Sequence, residues 1–329
     1  MRAAVVHTHG EPPSHGDRPV PAAAEGLSIV RVTAAPVVPL DLLCASGTSY
    51  FGPPALPYVP GVQGVGVVEQ SASLVPGTRV FFATSAGMAA GDGSFAERAA
   101  VPDADLIPLE APATDAGVPD ASVAAIGLSG VAAWMILTSR AQLRPGEQVL
   151  VMGGGGAVGQ VAIGAARVLE AARVVALVRS DASRERALAA GADEVVALST
   201  DVDELTERLG APAYDVVVDS VFGVAATAAS RVLAPGGRLV NLGGSSGDAA
   251  TFSSSVLRSK AASVLGYTNN ALTAEQRRDA LTAVLRHAAA GEIAVAHETV
   301  ALEHVANAWK RQAAGETAGR LVLTITAND

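Results

Sequence analysis

The run Val149–Gln160 reads VLVMGGGGAVGQ, an apolar stretch that meets four consecutive glycines and continues into Val161-Ala162-Ile163-Gly164-Ala165-Ala166. Gly154, Gly156 and Gly159 stand at the spacing G-x-G-x-x-G. Between a buried strand and its own helix, such a turn receives a phosphate. The first glycine permits the tight turn, the second lets the backbone touch a pyrophosphate, and the third lets helix pack closely on strand. The helix start adds N–H groups and the positive end of its dipole. A slack linker is the alternative reading, but linkers do not separate a buried strand from its helix. The next strand ends Val178-Arg179-Ser180, with Arg179 20 residues beyond Gly159. An acid there would hold a free ribose 2′-hydroxyl. Arg179 and Ser180, with Arg184 close behind, instead offer guanidinium groups and a hydroxyl suited to a 2′-phosphate. The predicted cofactor is NADPH; the plainer reading makes Arg179 and Arg184 solvated charges.

The elements that must position this turn alternate. Gln148–Met152, Arg173–Val178, Glu194–Ala197, Tyr214–Asp219, Arg238–Leu242 and Ala262–Tyr267 read as apolar strands. Helical stretches separate them, which predicts a six-stranded parallel sheet covered on both faces, in the doubly wound order. Before about Pro119 the rhythm is different. Short β-branched runs such as Leu27–Val32 and Arg79–Ala83 are broken by proline and glycine, so a β-rich unit is expected. Pro12–Ala24 and Tyr50–Gly61 read as loops.

Composition narrows the function. The 329 residues are 50% hydrophobic and 17% charged, enough for a substantial core and too apolar for general disorder. A net charge of −9 argues against a nucleic acid or an anionic membrane as partner. The most apolar segment, Ser122–Leu137, is interrupted and short for a membrane span. Cys44 is the only cysteine, so neither a disulfide framework nor a thiolate zinc cage is available. The start, MRAAVVHTHGEPP, lacks a secretory pattern, and a cytoplasmic protein is expected.

Motifs along the whole length carry a resemblance: PLDLLCASG (Pro39–Gly47), PGVQGVGVVE (Pro60–Glu69), LRPGEQVLVMGGGGAVG (Leu143–Gly159), YDVVVDSV (Tyr214–Val221), LAPGGRLVNLGGSSG (Leu233–Gly247) and AGRLVLTI (Ala318–Ile325). The chain resembles the medium-chain dehydrogenase/reductase superfamily, specifically its zinc-independent quinone oxidoreductase branch. The resemblance implies an α/β protein with a GroES-like β-rich catalytic domain from 1–118 and 270–329. A Rossmann NADPH-binding domain would occupy 119–269. Zinc-dependent members bind their metal through a cysteine and a histidine at the positions of Val38 and Val62, and an aliphatic side chain cannot ligate Zn²⁺. No metal site is expected.

Without a metal to polarise a simple carbonyl, the implied acceptors are quinones and activated C=C bonds of α,β-unsaturated carbonyls, where charge spreads through conjugation. The resemblance makes Val38, Val62 and Trp134 pocket-lining positions. It makes Tyr50 a proton donor or enolate ligand; the alternative is that Tyr50 is simply a pocket wall. It adds Ala157, Val158, Asp219, Gly243, Gly244 and Arg320 to the cofactor contacts, and implies a homodimer through the sheet edge at Ala262–Tyr267. Two other functions remain open. One is a biosynthetic enoyl-thioester reductase. The other is a dinucleotide-binding protein with little catalysis, kept alive by the apolar residues Val38 and Ala132.

Overall fold

The chain forms two compact units: Met1–Gly127 joined by Ala296–Asp329, and the continuous stretch Leu128–Val295. The computed structural model describes residues 1–109, 117–211 and 213–326. The divisions fall later along the chain than the sequence boundaries at 118/119 and 270. The chain from 270 to 295 belongs with the second unit, where Gly164 lies against Glu292 and Ile293, just past the helix Ala274–Ala289, so closely that a Cβ would meet the Glu292 carbonyl at 3.0 Å.

The first unit is built from β1 (Arg2–Val5), β2 (Ser14–Asp17), β3 (Leu27–Pro36), α1 (Pro39–Ala45), β4 (Gln63–Gln70), β5 (Arg79–Ala83), β6 (Arg98–Pro102) and β7 (Leu106–Pro108). The chain then enters α2 (Asp120–Met135), which is broken at Gly127, where φ is 31° and ψ −133°. A side chain there would strike Gln63 Oε1 at 2.3 Å, so only glycine allows the helix this close to β4. Among the described residues one helical run, Asp120–Arg140, is long and apolar enough to cross a membrane, and 67% of its apolar window is buried inside the protein.

The second unit continues with β8 (Gln148–Met152), α3 (Ala157–Val168), β9 (Arg173–Val178), α4 (Asp181–Ala189), β10 (Glu194–Ala197), α5 (Val202–Leu209), β11 (Tyr214–Asp219), α6 (Gly223–Arg231), β12 (Leu233–Asn241), α7 (Ser254–Lys260), β13 (Ser263–Gly266) and α8 (Ala274–Ala289). The chain returns to the first unit with β14 (His297–Ala301), α9 (Val305–Ala314) and β15 (Arg320–Thr324).

The second unit's sheet runs β10-β9-β8-β11-β12-β13, every pair parallel. This is the doubly wound six-stranded sheet expected from the alternation. Val149, Leu150, Val151 and Met152 are all buried, as a strand covered on both faces requires. In the first unit the order is β14-β15-β3-β4-β5-β7, with β6 on β3. Its core holds Phe82, Phe95, Tyr58 and Trp309, each large side chain contributing roughly 2–3 kcal/mol through apolar area removed from water.

Two elements differ from the sequence reading. Pro12–Ala24, read as loop, contains β2, whose polar SHGD has no apolar alternation and is held by pairing with β1. Pro39–Ala45 forms α1 inside a stretch read as β-like. Seven residues are too few to show a helical period, and the helix is instead nucleated at its start. Pro39 pre-sets the first turn, and Asp41 Oδ2 reaches back to accept the Val38 N–H at 2.9 Å.

Candidate functional site

In the second unit the glycine quartet joins β8 to α3 and divides the labour unequally. Gly153 takes φ 82°, and it is Gly153, not Gly154, that holds the left-handed position of the tight turn. A Cβ on Gly154 would press on Ala176 of β9 at 2.6 Å. On Gly159 it would lie 2.3 Å from the Gly153 carbonyl oxygen, so the third motif glycine is what lets α3 approach. Gly156 differs. It is exposed, caps α3, and a Cβ there would meet only the Gly153 oxygen at 3.3 Å. Gly156 donates its own N–H to the Gly153 carbonyl at 3.0 Å, so the free first-turn N–H groups are those that follow, at Ala157 and Val158, beside a Gly156 face with room for an anion. These residues fit a dinucleotide pyrophosphate.

Beside the turn lies the end of β9. Ser180 caps α4, its Oγ accepting the Ser183 N–H at 3.3 Å and donating to Ser183 Oγ at 3.1 Å. Arg179 and Ser180 are exposed. Arg184 points elsewhere: its Nη1 donates to the Val195 carbonyl on β10 at 3.1 Å. The second arginine at the turn is Arg186, whose Nε donates to the Gly155 carbonyl at 2.9 Å and Nη2 to Ser183 Oγ at 3.2 Å. Helical spacing alone does not choose between the two arginines. Ser183 and Ala187 mark the buried face of α4, and Arg184 and Arg186 flank it on opposite sides, the first on the side of β10 and the second on the side of the glycine turn.

Asp219, expected among the cofactor contacts, is fully buried. Its Oδ1 accepts the Val221 and Phe222 N–H groups at 2.9 and 2.8 Å, and its Oδ2 accepts from Asn241 at 3.1 Å. Burial raises its pKa against these bonds. The carboxylate thus shapes the loop after β11 and is sealed away from solvent. That loop carries Phe222 at φ 58°, a costly conformation for an aromatic residue. It is tied to the loop after β12 through Ser246 N–H on the Val221 carbonyl at 2.9 Å. Gly243 accepts from Asn241 at 2.8 Å, and Gly244 lies where a Cβ would strike the Gly247 oxygen at 2.7 Å. Trp134 is half-buried in the same unit, its ring stacked on His287 at 5.6 Å.

In the first unit Val38 and Val62 come together around one carboxylate. Asp41 Oδ2 accepts the Val38 N–H at 2.9 Å and Oδ1 the Val62 N–H at 3.0 Å. Both valines are buried, 7% and 2% exposed. Arg320 is the counter-charge. It donates from Nη1 to the Val37 carbonyl at 3.3 Å, and its Nε is screened from solvent. Burial pushes the Asp41 carboxyl up to about 7 although the backbone donors and Arg320 pull it down. Burial likewise lowers Arg320 to about 10 against the pull of Asp41. Arg320 is therefore engaged inside its own unit by the charge of Asp41 and by the Val37 carbonyl just past β3. Tyr50 is 80% exposed and stacked on Phe51 at 4.2 Å. Tyr58, which no motif marked, is 5% exposed, and its hydroxyl has no protein partner among the described residues. Cys44 is buried beside it, its thiol pushed up to about 11 by desolvation and then by Asp41. Among the described residues no group of three or more His, Cys, Asp or Glu side chains is gathered as a metal requires.

Residues 24–111 match the alcohol dehydrogenase GroES-like domain and residues 157–289 the zinc-binding dehydrogenase domain. The chain is 30% identical over 253 residues to the quinone oxidoreductase of Lama guanicoe, covering 74% of this chain and 73% of that protein. The chain belongs to the quinone oxidoreductase branch of the medium-chain dehydrogenase/reductase superfamily. It is also 32% identical over 305 residues to one subunit of the phenolphthiocerol/phthiocerol polyketide synthase of Mycobacterium tuberculosis. That match covers 90% of this chain, which spans 13% of the synthase subunit's length. Among solved structures, a mycobacterial quinone oxidoreductase superposes with a TM-score of 0.85 at 25% identity, over 98% of this chain and 99% of that one. The quinone oxidoreductase of Thermus thermophilus, solved alone and with NADPH, superposes at 0.80 with 28% identity, over 98% and 100%. Branch membership makes the glycine turn and the Val38–Val62 pair the two places to look for oxidoreductase chemistry.

Proposed function

We propose that this chain is an NADPH-dependent, zinc-independent reductase of quinones or of activated C=C bonds in α,β-unsaturated carbonyls. The observation that carries the reading is that Val38 and Val62 stand at the family's metal-ligand positions, their backbones fixed by Asp41, in a chain that keeps the glycine turn. When bound, NADPH supplies a hydride. Gly156, Ala157 and Val158 would hold its pyrophosphate, Arg179 and Ser180 its 2′-phosphate, and the backbone at Gly243 and Gly244 its nicotinamide end. Val38 and Val62 would give the acceptor apolar walls, favouring a flat, conjugated molecule whose developing charge is already delocalised. Tyr50 would give a proton to the reduced oxygen and, exposed to water, would regain one from solvent. The proposed setting is cytoplasmic. The proposed assembly is a homodimer through β13, whose Ser263, Val264 and Gly266 are exposed at the open sheet edge.

The likeness to a polyketide synthase subunit favours a second reading, reduction of an enoyl thioester by the same chemistry. NADPH oxidation by chelator-treated protein, followed against quinones, enones and enoyl thioesters with simple ketones and NADH as controls, separates the readings. Turnover of quinones or enones with ketones inert supports the first, and turnover confined to thioesters supports the second. Binding of NADPH without any turnover overturns both and leaves a dinucleotide-binding protein. Tyr50→Phe is expected to lower kcat by about tenfold or more if Tyr50 donates the proton.

A further inference from the structure

The first turn of α4 is pressed against the glycine quartet. A Cβ on Gly155 would lie 2.5 Å from Ser183 Cβ and 2.6 Å from Ser183 Cα. Long helical side chains lean back toward the helix N-terminus, so Arg186, one turn beyond Ser183, returns its guanidinium to the glycine turn. There it donates to the Gly155 carbonyl and to Ser183 Oγ, the same oxygen that accepts from Ser180. Two guanidinium groups, Arg179 and Arg186, consequently share the region next to a hydroxyl pair. Like charges in one place are unfavourable unless an anion joins them. Burial first and Arg179 second lower the pKa of Arg186, and Glu185 pulls the other way. Asp181, exposed at the start of α4, is the other acid on this turn.

We propose that Arg186, not Arg184, is the residue that works with Arg179 to select a phosphomonoester at the ribose 2′-position, while bracing the glycine turn through the Gly155 carbonyl. This rests on the NADPH reading above and assigns its selectivity to particular side chains. A guanidinium already oriented by the Gly155 carbonyl and the Ser183 hydroxyl loses little freedom when it meets a phosphate. Arg184, committed to the Val195 carbonyl, would have to leave β10 to do the same.

The test uses the full chain and two probes differing by one group, 2′,5′-ADP and 5′-AMP, titrated by calorimetry. For the wild type, 2′,5′-ADP is expected to bind more tightly. Arg186→Gln is expected to cut that preference by about tenfold or more, the scale of one charge-assisted contact, the loss falling more heavily on 2′,5′-ADP than on 5′-AMP. Arg184→Gln is expected to leave the preference intact. Should Arg186→Gln compromise folding, Arg186→Lys keeps the charge but not the fork, and is expected to retain part of the preference. An unchanged preference in folded Arg186→Gln or Arg186→Lys overturns the proposal while leaving the NADPH reading standing. A wild type that does not distinguish the two probes overturns both.

Discussion

The glycine turn after β8 and the Asp41 cluster after β3 are both places where ordinary side chains have been given up, and they do opposite things with the backbone. At Gly156 the chain removes the side chain, and the next N–H groups, of Ala157 and Val158, open α3 toward a charge that must come from elsewhere. At Val38 and Val62 the chain replaces two potential ligands with valine, and the backbone N–H groups turn inward to a carboxylate the protein supplies itself. One site therefore depends on an anion from solution. The other has enclosed its anion, and burial raises that carboxyl to about 7.

The sharpest way to break the comparison is at Gly159. Val in place of Gly159 would drive a Cβ to within 2.3 Å of the Gly153 oxygen. Gly159→Val is expected to cost roughly 5 kcal/mol or more, read as loss of a cooperative melt. A soluble variant with a normal melt would show that α3 does not need this approach. Next comes Asp41. Its folded pKa of about 7 exceeds the ordinary 3.8, so the folded state holds a proton that the unfolded state has released. Stability should accordingly fall as pH rises from about 4 to about 7 and then level off, by at most roughly 4 kcal/mol. Asp41→Asn should flatten that segment of the urea midpoint against pH, whatever its absolute stability. Parallel slopes in variant and wild type would remove Asp41 from the account.

A smaller effect sharpens the contrast within the turn. Gly156→Ala has only a 3.3 Å contact to absorb, so the melt should move little, yet 2′,5′-ADP affinity should drop about tenfold. Equal losses of stability and affinity would mean that Gly156 serves the fold and not a ligand. The smallest effect belongs to Tyr58. Its buried hydroxyl has no protein partner among the described residues, so Tyr58→Phe should leave stability unchanged or raised by about 1 kcal/mol. A loss beyond that would reveal a bond the hydroxyl depends on.

What could be read beforehand follows from how local the physics is. The strand, turn and helix around the quartet are neighbours in sequence, and so are the apolar runs of β8, β9 and β11, whose ends match the sequence reading residue for residue. Arg186 was missed because nearness to β9 along the chain favoured Arg184, while the helix turns that residue toward β10. The Asp41–Arg320 pair was illegible for a different reason. A motif marks each residue, but only the sheet register, with β15 laid against β3 at Val322 and Pro36, brings one charge to the other. Tyr50 illustrates the remaining limit: spacing names a tyrosine, and exposure is decided by the fold around it.

The split construction of the first unit also orders events during synthesis. Leu128–Val295 leaves the ribosome as one uninterrupted piece, so all six strands of its sheet are present before Ala296 is made. The first unit must wait. Its sheet needs β15 between β14 and β3, and until that strand emerges Asp41 faces no arginine from the far end of the chain. A nascent chain stalled after Val295 would thus hold every strand of the second unit's sheet but an N-terminal sheet still open along β3, with both β14 and β15 missing from that flank, and that unit is the part a chaperone would have to shelter.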